Sequence, residues 1–189
     1  MKILVIALVV VTSIAAMPTF AAGNVSVGDV VFQETVTIAD TELKLKGAAV
    51  LRYLSIFKAY AGAFYLPQGA ASWAAGGDVP CRLELSYYRA IKAADFDRAT
   101  RKKMADNVDA AAYAGLAERL DRFNALYRDV QPGDRYALNY IPGLGTELTL
   151  NGDSLGRIQG ADFAAALFAI WLGANPIDDA FKAALLGRS

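Results

Sequence analysis

The chain has 189 residues, 55% of them apolar, with 19 Lys and Arg set against 19 Asp and Glu, no histidine and one cysteine. It is too apolar and too evenly charged for a disordered chain and shows no basic excess for nucleic acid. Without histidine there is no Ser–His or Cys–His nucleophile pair, no His-containing zinc site and no haem ligation by His, and one thiol allows no intramolecular disulfide.

Lys2 precedes an apolar run from Ile3 to Ala16, broken only by Thr12 and Ser13 and stopped by Pro18. With Thr19-Phe20-Ala21 after it, this is the order of a secretory signal, with small residues three and one before the cut. The run falls short of the roughly 20 apolar residues of a spanning helix. The expectation is cleavage after Ala21, leaving a single domain over residues 22–189 in the periplasm or secreted. The membrane is then touched only through the segment before cleavage. The lone Cys81 reads as a small buried apolar residue, suited to an exported chain that avoids oxidative cross-linking.

Val30 to Ile38 is rich in β-branched residues and predicts one strand, with a turn at Ala39-Asp40. Glu42 to Lys46 alternates and predicts a half-buried strand; Ala48 to Ile56 and Phe57 to Leu66 predict two more, mostly buried. The Ala/Gly-rich stretch from Gln68 to Pro80 has room for one helical turn around Trp73. Cys81 to Tyr87 alternates again, with Leu83, Leu85 and Tyr87 facing inward and Arg82, Glu84 and Ser86 on a wet face.

From Ala93 to Arg128 the period becomes helical, giving two helices broken near Asp109 to Gly115. Arg98, Arg101, Lys102 and Lys103 alternate there with aspartates, as on a solvated face. Strands follow at Arg135–Ile141, Thr146–Leu150 and Leu155–Ile158. Asn151-Gly152 between the last two fits a type I′ hairpin, because both positions require positive φ. Asp162 is expected to cap a helix from Phe163 to Leu172, and Pro176-Ile177-Asp178-Asp179 opens a last one to Leu186. The pattern is one α+β domain with an antiparallel sheet and helices on one side.

Arg52 and Lys58 are the only charges between Gly47 and Pro67. A buried guanidinium must be paired, and its planar fork suits a carboxylate. Tyr60 adds a phenol donor. An apolar cavity with Arg and Tyr at one end would take an anionic amphiphile. Equally, Arg52 has the alternative of an internal carboxylate partner, or of reaching solvent at a strand end.

The ordered set Gly47-Ala48-Ala49, Arg52, Phe57-Lys58, Tyr60-Ala61 and Tyr65-Leu66 resembles the chalcone isomerase-like superfamily. Leu83 to Tyr87, Pro132-Gly133-Asp134, Pro142-Gly143, Gly145-Thr146, Leu150-Asn151-Gly152, Phe168, Ile170-Trp171-Leu172-Gly173 and Phe181-Lys182 are similar to its bacterial exported branch. The resemblance implies an open-faced β-sandwich: a large antiparallel sheet packed against a layer of helices, with a cleft between them. It also implies that Arg52 is the residue that holds an anion in that cleft. Tyr60 stands where the isomerases have a water-ordering Thr, and Phe96 where they have a Tyr; Asn107 matches their Asn loosely in spacing. Arg with Tyr resembles the non-catalytic fatty-acid-binding branch.

The resulting expectation is a binding protein for a fatty acid or similar hydrophobic carboxylate. Arg52 is its anchor, Tyr60 its donor, and Phe57, Phe64, Phe96, Asn107, Phe168 and Trp171 its further contacts. No cofactor, metal or catalytic residue is expected. The alternatives are an isomerase or intramolecular lyase with an Arg-stabilised oxyanion, and a structural or interaction domain without a ligand.

Overall fold

Alternating, β-branched sequence sets the strands, and their register decides which side chains face which layer. The structure, a computed structural model, describes residues 23–53, 57–70, 73 and 78–188. Its strands are β1 (Asn24–Val27), β2 (Val30–Gln33), β3 (Thr35–Ile38), β4 (Thr41–Tyr53), β5 (Phe57–Leu66), β6 (Cys81–Tyr87), β7 (Arg135–Ile141), β8 (Gly145–Leu150) and β9 (Asp153–Ile158). Helices α1 (Ala93–Ala105) and α2 (Ala110–Asn124) lie between β6 and β7, and α3 (Ala161–Leu172) and α4 (Asp179–Leu185) follow β9. Strands β3 to β9 form one curled antiparallel sheet in sequence order, while β1 and β2 make a separate hairpin.

The expected single strand over Val30–Ile38 is two. At Glu34 the chain leaves the hairpin for the large sheet: its N–H donates to the Gly23 carbonyl and its own carbonyl accepts from Leu45. Strand β1, not foreseen, pairs with β2 from Asn24↔Gln33 to Val27↔Val30. Conversely, the two strands expected on either side of Gly47 are one, because a bulge between Leu45 and Gly47 absorbs the glycine. A Cβ at Gly47 would meet the Ala184 carbonyl of α4, so the residue is there for close approach. The expected strand end at Ile56 and the helical turn around Trp73 fall largely on residues outside the described set.

The helix break lies at Asp106–Asp109, where the Asp109 carboxylate accepts from Ala112 N at 2.8 Å and caps α2. Asp162 is not the cap of α3. That position is Gly160, at φ 110°, and Asp162 lies in the first turn paired to Arg119. Asp178 caps α4 through Phe181 N at 2.7 Å. Asn151 (φ 53°) and Gly152 (φ 94°) make the hairpin turn as their sequence requires, and β9 starts two residues earlier than expected.

Both faces of the sheet are covered. Helix-facing Phe64, Leu83 and Leu148 pack with Phe123, Phe163, Leu167 and Phe168. On the other face, Ala61, Ala63 and Tyr65 lie with Phe32, which the β1–β2 hairpin supplies. The wet face expected for β6 is therefore partly dry: Glu84 is 8% exposed and Ser86 3%, while Arg82 is half-buried. Glu84 survives burial because two guanidiniums hold it, Arg82 at 2.9 Å and Arg135 at 2.7 Å.

Candidate functional site

The short β3 exposes the edge of its neighbour. It pairs with β4 only between Thr35↔Lys44 and Ile38↔Thr41, so the rest of β4 has no strand on that side among the described residues. Helix α4 lies along this part of β4 instead. Between them a groove of about 310 Å³ is lined by Ala49, Val50, Arg52, Asp178, Ala180 and Phe181.

Arg52 is exposed and makes no hydrogen bond or ion pair among the described residues. The buried, paired guanidinium of the sequence argument is absent; Arg52 reaches solvent near the end of its strand. Lys58, its register partner on β5, is bound to Asp29 at 2.9 Å. Asp178 is the carboxylate of the groove, and it is engaged in capping α4.

Phe181 separates this groove from the core. It is 3% exposed and stands edge-on to Tyr60, with ring centroids 5.6 Å apart. Tyr60 is also buried, and Trp171 Nε1 donates to its hydroxyl oxygen at 2.9 Å. Burial pushes the Tyr60 phenol well above its ordinary value of 10.0; the Trp171 bond opposes that rise and the Asp178 charge adds to it. Tyr60 therefore keeps its proton near neutral pH and is no base. Its oxygen accepts from Trp171, and its proton has no acceptor among the described residues, so the geometry suits a donor.

Of the other expected contacts, Phe64 and Phe168 are fully buried in the helix-facing core with Trp171. Phe96 sits among Tyr87, Tyr127 and Tyr136, each 5.2 to 5.3 Å away. These interlocked rings pack α1 against the sheet, whereas the groove that holds Arg52 lies between the sheet and α4. Phe57 is 48% exposed, with the Arg89 guanidinium 4.8 Å over its ring. Asn107 stands apart. Its amide donates to the Lys103 and Asn175 carbonyls and accepts from Asn175 N, tying the end of α1 to the turn after α3. It lines a different groove, of about 430 Å³, with Ala112, Leu116 and Ala166. Arg52, Tyr60 and Trp171 are thus brought into one neighbourhood through Phe181, while Asn107 and Phe57 are not. Asp178, Ala180 and Phe181 were missed as groove residues. Gly47 and Gly62, which make room for α4, were the available signal.

No helix among the described residues is long and apolar enough to cross a membrane. A family model described as chalcone isomerase-like matches residues 24–187. The crystal structure of an Arabidopsis thaliana fatty-acid binding protein superimposes with a TM-score of 0.70, covering 87% of this chain and 96% of that one at 14% identity. No curated protein sequence matches the chain.

Proposed function

The chain belongs to the chalcone isomerase-like family, and from that premise we propose that it is a non-catalytic binding protein for a fatty acid or similar hydrophobic carboxylate, exported to the periplasm or beyond the cell. The observation that carries this reading is Arg52: an exposed guanidinium with no partner among the described residues, at the mouth of a groove whose inner wall is aromatic. A carboxylate gains charge-assisted hydrogen bonds there without first breaking an ion pair. Tyr60, protonated and buried behind Phe181, lies deeper in, where the apolar tail would run. The fatty-acid binding neighbour of similar fold supports the same ligand class. Export rests on the signal-like N-terminus.

The test is palmitate uptake by delipidated protein, together with native mass spectrometry of freshly purified material for a co-purifying acid. The reading expects stoichiometric uptake, weakened about 10- to 100-fold in Arg52→Ala, the worth of a hydrogen bond to a charged group. If no long-chain acid binds, the reading falls; if Arg52→Ala binds unchanged, the anchor is elsewhere. A hydroxychalcone closed faster than in buffer would replace it with an isomerase using Arg52 on an oxyanion.

A further inference from the structure

We infer that the Phe181 side chain occupies the acyl slot of this protein and must leave it for a hydrophobic carboxylate to bind; the inference rests on the binding reading above. Phe181 belongs to two environments at once. It lines the groove that holds Arg52, and its ring contacts Tyr60 in the core. Its seat is cut into the sheet: Gly62 on β5 has no side chain, and a Cβ there would lie 2.6 Å from Phe181 Cζ. Any residue other than glycine at 62 fills the space the ring now takes. Gly47 does the same for the far end of α4, admitting the Ala184 and Leu185 carbonyls against the strand. The sheet therefore carries a shallow apolar trough running inward from the Arg52 groove, floored by Gly62 and Ala49, and Phe181 lies in it.

A carboxylate on Arg52 leaves its chain two directions, out into water or along this trough toward Tyr60. Only the second buries apolar surface, and it requires the ring to leave. Helix α4 itself is held in place, so it is the ring that must swing out. The helix has 7 residues, and its N-terminal turn is fixed by the Asp178 cap. Lys182 Nζ holds it to the Gly173 carbonyl at 2.6 Å. Phe181 is then a specificity-determining residue: the ligand competes with a side chain of the protein, so a tail too short to replace the ring gains nothing over solvent.

Two-dimensional NMR on the purified protein tests this with palmitate as the probe. The Phe181–Tyr60 ring contact is expected in ligand-free protein and lost at saturation, while the Phe123–Phe163 contact, 5.6 Å between centroids, persists. Phe181→Leu, which keeps the helix anchored but shortens the plug, is expected to lower the apparent Kd several-fold, because less of the protein must be reorganised before binding. Retention of the Phe181–Tyr60 contact with palmitate bound overturns the assignment and leaves the binding reading intact. Equal affinity of Phe181→Leu and wild type also overturns it. If neither protein takes up palmitate, the binding reading fails and this one with it.

Discussion

The same strands carry two unlike faces. Toward the helices, the sheet presents Phe64, Leu83, Tyr87 and Tyr136, and the opposing layer answers with rings and leucines. Away from them it presents Arg82, Glu84, Arg135, Asn139 and Glu147, bonded to one another across β6, β7 and β8. The second face is nonetheless partly dry. A hairpin of two four-residue strands lies over it, adding Phe32 to its core and accepting Arg135 Nη2 at the Val31 carbonyl at 2.9 Å. The difference teaches that alternation tells which side chains share a face, but not whether water reaches it. A face of charges is buried if its charges satisfy each other.

The largest test of that contrast is deletion of one anchor from each face. Phe163→Ala, in the helix-facing core, is expected to cost about 4–5 kcal/mol in denaturant unfolding, and Phe32→Ala about 3 kcal/mol, because the small hairpin can settle into the vacated space. Equal losses would mean that the two covers are equally rigid. Glu84→Ala comes next, at about 3 kcal/mol, since it strands Arg82 and Arg135 with their countercharge gone. A loss under about 1 kcal/mol would show that water reaches this face after all. Trp171→Phe removes the donor to Tyr60 while keeping the ring, and is expected to cost about 1 kcal/mol.

The smallest effect is acid sensitivity at the rim. Asn151 and the Gln131 amide hold the Asp134 carboxyl below its ordinary 3.8, and Arg119 does so for Asp162. Their stabilisation is complete above that value and is lost as pH falls through the lower folded-state values. Asp134→Asn and Asp162→Asn should each flatten the stability–pH curve below about pH 4. An unchanged curve in both would rule these carboxyls out as its source.

How much of this was readable beforehand depends on range. The Asn151-Gly152 turn, the strands from β5 to β9 and the helical stretches announced themselves, since each signal lies within a few residues. Errors came where a distant segment decided. Gly47 looks like a strand break until α4 is packed on it. Val30–Ile38 looks continuous until Glu34 is bonded to Gly23 and Leu45. Glu84 looks solvated until Arg135, 51 residues on, reaches it. At the candidate site, Arg52 and Tyr60 stood out by residue type in an apolar run. Phe181 did not, because nothing in its own neighbourhood marks the glycine on β5 that receives it.

The order of the large sheet has a kinetic side. Every strand from β3 to β9 neighbours its successor in the sequence, so most pairings close over short hairpins and cost little chain entropy. One join spans far more chain than any other. Between Tyr87 and Arg135 the chain makes both α1 and α2 before returning, so β6 can meet β7 only once that helical excursion has folded back. The β6–β7 seam is where two quickly formed halves of the protein are expected to meet last, and it is also where Glu84 takes hold of Arg135.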